Sequence, residues 1–414
     1  MNTGWRRSKI LEKVKRHHFR KSVLLFLGIC GTIPLVSGCW DRVEINDLAI
    51  VTAAAIEKKE DNQIELSIQV FIPKSLSSGG GQGGPGGGGG VPTTLVRSEK
   101  GSNISDALSK LQSKVPRKIF WGQCKVFVFG EKVAKEGIQE HLDFLLRHPQ
   151  PRERAYVYVS KGKAKPILDS LPPLETYSGE VMRELTDLHI GMRVTLQNLD
   201  EMLTGKSHAA ALPLIGILPP GKGEKKLQGI PYIVGAAVFN KDKMTGTMTE
   251  KETRGILWLR DEIESYTVTL KPKGEKGEIS LNPVSAQVKL VPQIQNKKWK
   301  LLVKVNTEGT VIQNGTNMIL SSPKALKDTE RSYQKEIEKR IEMAFLHTQN
   351  KKADIIGLGK EFYRKYPKQF NKIENHWNEK FEEIEVEIDV VAHIRRQGYI
   401  DKPAGLPEKE VKDK

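Results

Sequence analysis

Asp47–Glu57 reads D-L-A-I-V-T-A-A-A-I-E, apolar on both of its alternating faces. A strand with two apolar faces is buried on both sides, so this segment is the centre of a sheet covered above and below. Just downstream, Ile64, Leu66, Ile68, Val70 and Ile72 alternate with Glu65, Ser67 and Gln69, the pattern of a half-buried neighbouring strand. Helical spacing comes next, with Ile104, Leu108, Leu111 and Val115 on one face of Asn103–Val115. Strands and helices then interleave to the end of the chain. The expected fold class is α+β and multi-domain, three domains in all, with mixed or antiparallel sheets packed by helices.

Upstream of that strand the chain has a different character. Ser22–Cys39 reads S-V-L-L-F-L-G-I-C-G-T-I-P-L-V-S-G-C. Arg6, Arg7, Lys9, Lys13, Lys15, Arg16, Arg20 and Lys21 precede it, with Glu12 the only acid. A basic start, a short apolar run and small residues at its end make a secretory signal peptide, residues 1–38. Gly28, Gly31 and Pro34 interrupt the run, and it is short for a membrane span. Val36-Ser37-Gly38-Cys39 matches a bacterial lipobox. Cysteine is required there because its sulfur is alkylated by diacylglycerol before cleavage frees the Cys39 amine for acylation. Two acyl chains hold a protein stably, at about 0.8 kcal/mol per buried CH₂, where one does not. The competing reading is an uncleaved anchor helix with an incidental cysteine.

The 414 residues carry a net charge of +16, much of it in the basic start. The remaining basic surface suits anionic lipid or cell-wall polymer. An exported chain without a nucleic-acid motif has no nucleic-acid partner. Past Cys39 only Cys124 remains, so the exported body forms no internal disulfide. No later segment is apolar enough to span a membrane.

Residues 39–216 read as an N-terminal α+β region of two subdomains. It is interrupted by the loop Gly79–Gly90, G-G-G-Q-G-G-P-G-G-G-G-G, which has no side chains to pack. No Lys-Ser or Lys-Thr follows that run, so it is no phosphate loop. Further elements are a strand Cys124–Phe129, a helix from Gly130 to Leu146, and a strand Arg154–Ser160. Short helices around 164–171, 178–190 and 196–203 and a strand Ala209–Ile217 complete the region. Residues 217–229, I-L-P-P-G-K-G-E-K-K-L-Q-G, are a linker by composition. Residues 230–396 form a C-terminal α+β domain. It contains several alternating strands, a long helix Lys324–Thr348, a helix Asp354–Tyr366 and a last strand Ile384–Ile394. Residues 397–414 are a charged, disordered tail.

The chemistry of enzymes is missing. No H-E-x-x-H, C-x-x-C, G-x-S-x-G or Walker-type P-loop occurs, and no two histidines stand at metal-ligand spacing. No catalytic, cofactor-binding or metal residue is therefore expected. Asp389 and His393 share a strand face but lie about 13 Å apart. Glu382, Glu383, Glu385 and Glu387 read as a solvated face. Asn103-Ile-Ser105 and Asn314-Gly-Thr316 match a glycosylation signal that has little meaning in a bacterial lipoprotein. Arg147, Arg152 and Arg154 bracket a helix end and a strand start. They are the candidate partner contact, although Arg147 also suits a helix C-terminus.

Three blocks resemble one family. Cys39-Trp40-Asp41-Arg42-Val43-Glu44-Ile45-Asn46-Asp47-Leu48-Ala49 is similar to the mature start of the Ger(x)C spore-germination lipoproteins. V-F-V-F-G-E-K-V-A-K-E-G-I from Val126, with the arginines and strand after it, resembles a second family block. Gly235–Leu259 resembles the G-x-A-V-F hairpin and T-R-G-x-x-W-L turn. The likeness spans Cys39 to about Arg396. The long glycine run and Trp121-Gly-Gln-Cys124 depart from it. The resemblance implies the C subunit of a nutrient germinant receptor, lipid-anchored on the outer face of the cytoplasmic membrane, the inner membrane of the spore. It implies multipass A and B subunits as partners, germinant binding by another subunit, and no catalytic residue to carry over. An exported cell-wall enzyme or a substrate-binding lipoprotein are the alternatives.

Overall fold

The computed structural model describes residues 44–72, 93–223, 228–264, 266–400, 402–407 and 410–411. Cys39, the signal segment and Gly79–Gly90 lie outside them. Residues 49–414 form one compact unit, which carries both sheets apart from the first residue of β1.

The architecture is mixed α+β. β1 (Leu48–Lys58) is the buried central strand of the larger sheet, and Ala53, Ala54, Ala55 and Ile56 are wholly inaccessible. β2 (Ile64–Phe71) and β3 (Thr94–Gly101) pair antiparallel on one side of it. On the other side lie β5 (Val126–Phe129), β6 (Tyr156–Ser160) and β7 (Ala209–Leu218), all parallel to β1. β8 (Ile230–Asn240) and β9 (Lys243–Thr249) close the sheet antiparallel. The order is β3-β2-β1-β5-β6-β7-β8-β9, with β4 (Lys118–Phe120) also on β1. Both faces are covered, which is why β1 carries alanine and isoleucine on either side.

The second sheet is β10-β11-β12-β13, with β10 at Val268–Leu270. β11 (Ile279–Gln295) and β12 (Lys298–Asn314) form a long hairpin, and β13 (Glu385–Arg396) runs parallel to β12. Asn296 and Lys297 turn the hairpin in the left-handed region that such tight turns require. The helix Pro323–Asn350 buries Tyr333, Ile337, Ile341 and Phe345 against this sheet.

Residues 217–229, read as a linker, join β7 to β8, and those strands pair from Ala209↔Asn240 to Leu218↔Ile230. Pro219, Pro220 and the glycines fit the tip of that connection, while the apolar flanks continue the sheet. One buried core runs through both sheets, and a smaller second cluster around Ala53, Val128, Tyr158 and Met182 belongs to the larger sheet. Four further readings change. The single helix expected from Gly130 to Leu146 is two, Glu131–Glu136 and Gln139–Arg147. Gly137 sits at φ 136 between them, and the Ile138 amide donates to the Asp242 carbonyl (3.0 Å). The helix expected from Asp354 begins only at Leu358. β3 is an additional strand, charged in sequence and absent from the alternation pattern. Part of the tail lies on the body, with Pro403 buried and Asn317 Nδ2 donating to the Glu410 carbonyl (3.1 Å).

Candidate functional site

The three arginines separate by role. Arg147 ends the helix Gln139–Arg147 and binds Asp143 one turn earlier, its Nε 2.9 Å from Asp143 Oδ2. That pair raises the arginine and holds the Asp143 carboxyl below its ordinary range. Both groups are fully exposed, so the pair adds little to stability. Arg152 and Arg154 lie in the turn before β6, where the Ala155 amide closes onto the Arg152 carbonyl (2.9 Å). Their side chains are exposed and have no partner among the described residues. The structure therefore leaves two free arginines on the turn and ties the third to its own helix.

Beside Arg147 opens a cleft of about 870 Å³, lined among others by Asp143, Asp200, His208, Lys241, Glu374 and Trp377. His208 and Lys241 both have positive φ, and the Lys241 amide donates to the His208 carbonyl (2.6 Å). Ser207, which is buried, also lines the cleft. Its Oγ donates to Asp354 Oδ2 (2.5 Å). Asp354 is buried and already accepts from Gly357 N and Leu358 N (both 3.0 Å), Gly359 N (2.7 Å) and Trp377 Nε1 (3.0 Å). A carboxylate saturated by fixed donors has no lone pair directed at a substrate proton, so this pair holds structure rather than activating a nucleophile. Sequence reasoning misses Asp354. Its signal is D-I-I-G-L-G, an acid followed by glycines whose amides turn back onto it.

The remaining candidates resolve locally. Cys124 is buried, and burial pushes its thiol far above the ordinary range, away from the reactive thiolate. Asp389 and His393 are exposed on β13, opposite Lys304 and Glu308. Glu385 pairs with Lys300 (2.7 Å) and Lys298 (3.3 Å), which lower it. Asn103 caps the helix Ile104–Lys114, accepting from the Asp106 amide (2.9 Å), and Asn314 Oδ1 accepts from Thr316 N and Oγ1. Both asparagines of the glycosylation-like triplets thus have turn and cap duties. Among the described residues no group of three or more His, Cys, Asp or Glu is placed to hold a metal, and no helix is long and apolar enough to cross a membrane.

Residues 41–217 match the family model described as spore germination protein N-terminal domain, and residues 234–398 match that described as spore germination B3/GerAC like, C-terminal. The chain belongs to the GerAC-like spore germination family. The gap between the two matched stretches is the β7–β8 connection. Spore germination protein KC of Bacillus subtilis (strain 168) is 32% identical over 93% of this chain and 98% of its own length. Spore germination protein B3 of the same organism is 24% identical over 92% of this chain and 98% of its own. The fold is that of a solved structure titled crystal structure of the GerBC protein, with a TM-score of 0.52 at 19% identity, covering 83% of this chain and 97% of that one.

Proposed function

We propose that the chain is a non-enzymatic C subunit of a spore nutrient germinant receptor, tethered by lipid on Cys39 at the spore inner membrane and required there for receptor assembly or signalling. Its partners are multipass A and B subunits, and the small-molecule germinant is bound by another subunit. The observation that carries this reading is the end-to-end match to spore germination proteins, joined to V-S-G-C directly ahead of the matched region. The saturation of Asp354 and the inert Cys124 support a role in binding rather than catalysis. The test is Cys39→Ala. Metabolic labelling with a fatty acid should then find no lipid on the chain, and spores should germinate more slowly with nutrient. A variant that keeps its lipid label, or that germinates at the parental rate without one, contradicts the tether.

A further inference from the structure

We propose that the end of the nine-stranded sheet where β1 begins rests on an anionic bilayer, with Leu171 and Leu174 pressed into the headgroup layer and Lys125, Arg152 and Arg154 against its phosphates. The proposal rests on the Cys39 tether proposed above and adds the face that the tether presents.

The register fixes which groups share that end. Val51 stands opposite Val70 and Phe71 opposite Thr94, so β2 ends and β3 begins beside the start of β1. The Lys125 amide donates to the Thr52 carbonyl (3.1 Å) and the Tyr156 amide to the Lys125 carbonyl (2.8 Å), which puts Lys125 and the Arg152–Arg154 turn at the same end. Thr93 Oγ1 donates to the Thr176 carbonyl (2.7 Å) and brings the loop S-L-P-P-L-E-T-Y, Ser170–Tyr177, there too. In that loop Leu174 is 84% exposed and Leu171 37% exposed. Two prolines between the leucines stiffen the loop, so little entropy is lost in holding it outward. They also remove two amide donors that would need water. An exposed leucine on a stiff loop gains by entering the interface.

The chemistry at this end suits lipid. Arg152 and Arg154 have no side-chain partner among the described residues, and Lys125 has only Glu180, at 3.9 Å. Glu153 and Glu175 lie beside them in sequence, so the charge attraction is modest and the leucines share the work. From β3 to β6 is four strand spacings, about 19 Å, so loop and arginines fall within one footprint. Ala49 follows Cys39 by ten residues in sequence, a reach of at most about 35 Å. A lipidated Cys39 thus keeps this end near the surface, where each cation strengthens binding to anionic lipid by about five-fold.

The test uses the full lipidated chain in vesicles of phosphatidylcholine with phosphatidylglycerol. An environment-sensitive thiol dye is placed by Leu174→Cys or, as a control past the other end of β6, by Lys163→Cys. Cys124 is buried and does not compete. The dye at position 174 should shift to the blue and be quenched by lipids spin-labelled near the headgroup, while that at 163 stays water-like. Adding Arg152→Glu and Arg154→Glu should reduce the quenching at 174 several-fold. A dye at 174 that stays water-like in a chain that floats with the vesicles overturns the proposal. So does a dye that becomes protected only in native membrane, which assigns the face to a partner protein. The lipid label is read separately. Quenching at 174 in a chain that lacks it supports the docking face and contradicts the tether alone.

Discussion

At the scale of single residues, buried polar groups tie separate elements of this molecule to one another. Asp354 gathers three amides, an indole and a hydroxyl onto one carboxylate, and through Ser207 it links the approach to β7 with the aromatic cluster of Trp299, Phe362 and Trp377. Asp354→Ala should cost about 3 kcal/mol, because it strands several buried donors at once. Denaturant unfolding measures this, and a loss below about 1 kcal/mol would show that water replaces the carboxylate. His141 is the opposite case. Burial lowers its pKa, and its Nδ1 has no hydrogen-bond partner among the described residues. The unfolded chain therefore takes up a proton at the ordinary value of about 6.5 while the folded chain refuses it until lower pH. Stability should fall as pH drops below that value and level off once the folded imidazole also titrates. His141→Leu should flatten the dependence between about pH 6.5 and 5. An unchanged slope would assign it to other groups.

At the scale of elements, Gly137 divides what sequence periodicity reads as one helix. Ala134, Ile138, Leu142 and Leu145 keep helical spacing across it, so the break is invisible in the apolar pattern. Only the backbone at φ 136 shows it, and a Cβ there would stand 2.5 Å from Asp242 Oδ2. Gly137→Ala should destabilise by about 2 kcal/mol from left-handed strain and that contact together. Thermal unfolding measures it, and a neutral variant would mean that the helix can run through. β1, β2 and the later hairpins are legible because alternation survives where a strand has one or two buried faces. β3 is not, since T-L-V-R-S-E-K-G is an edge strand whose charges fall on exposed and half-buried positions alike and break the alternation. The split of Arg147 from Arg152 and Arg154 is equally hidden, because an i,i+4 acid claims the first and no neighbour claims the others.

At the scale of the whole molecule, sequence reasoning reaches the α+β class, the family and the place where the two matched stretches part, and does not see that the sheet runs across it. Proline and glycine at 219–223 look like a boundary by composition, yet pairing across β7 and β8 carries the sheet onward. Long-range pairing of this kind, like the insertion of β1 between β2 and β5, leaves no local mark. The larger sheet presents an arginine turn and a leucine-bearing loop at one end, and in the cleft beside Arg147 the Ser207 hydroxyl is tied to Asp354. The most direct test is to purify the tagged, lipidated chain from cross-linked spore inner membrane and identify what comes with it. Two multipass membrane proteins should be recovered in constant proportion, and both should be lost when the chain is deleted or its partners are. Recovery of the chain alone from spores that germinate normally, or hydrolytic activity of the isolated chain on cell-wall polymer, would contradict the account.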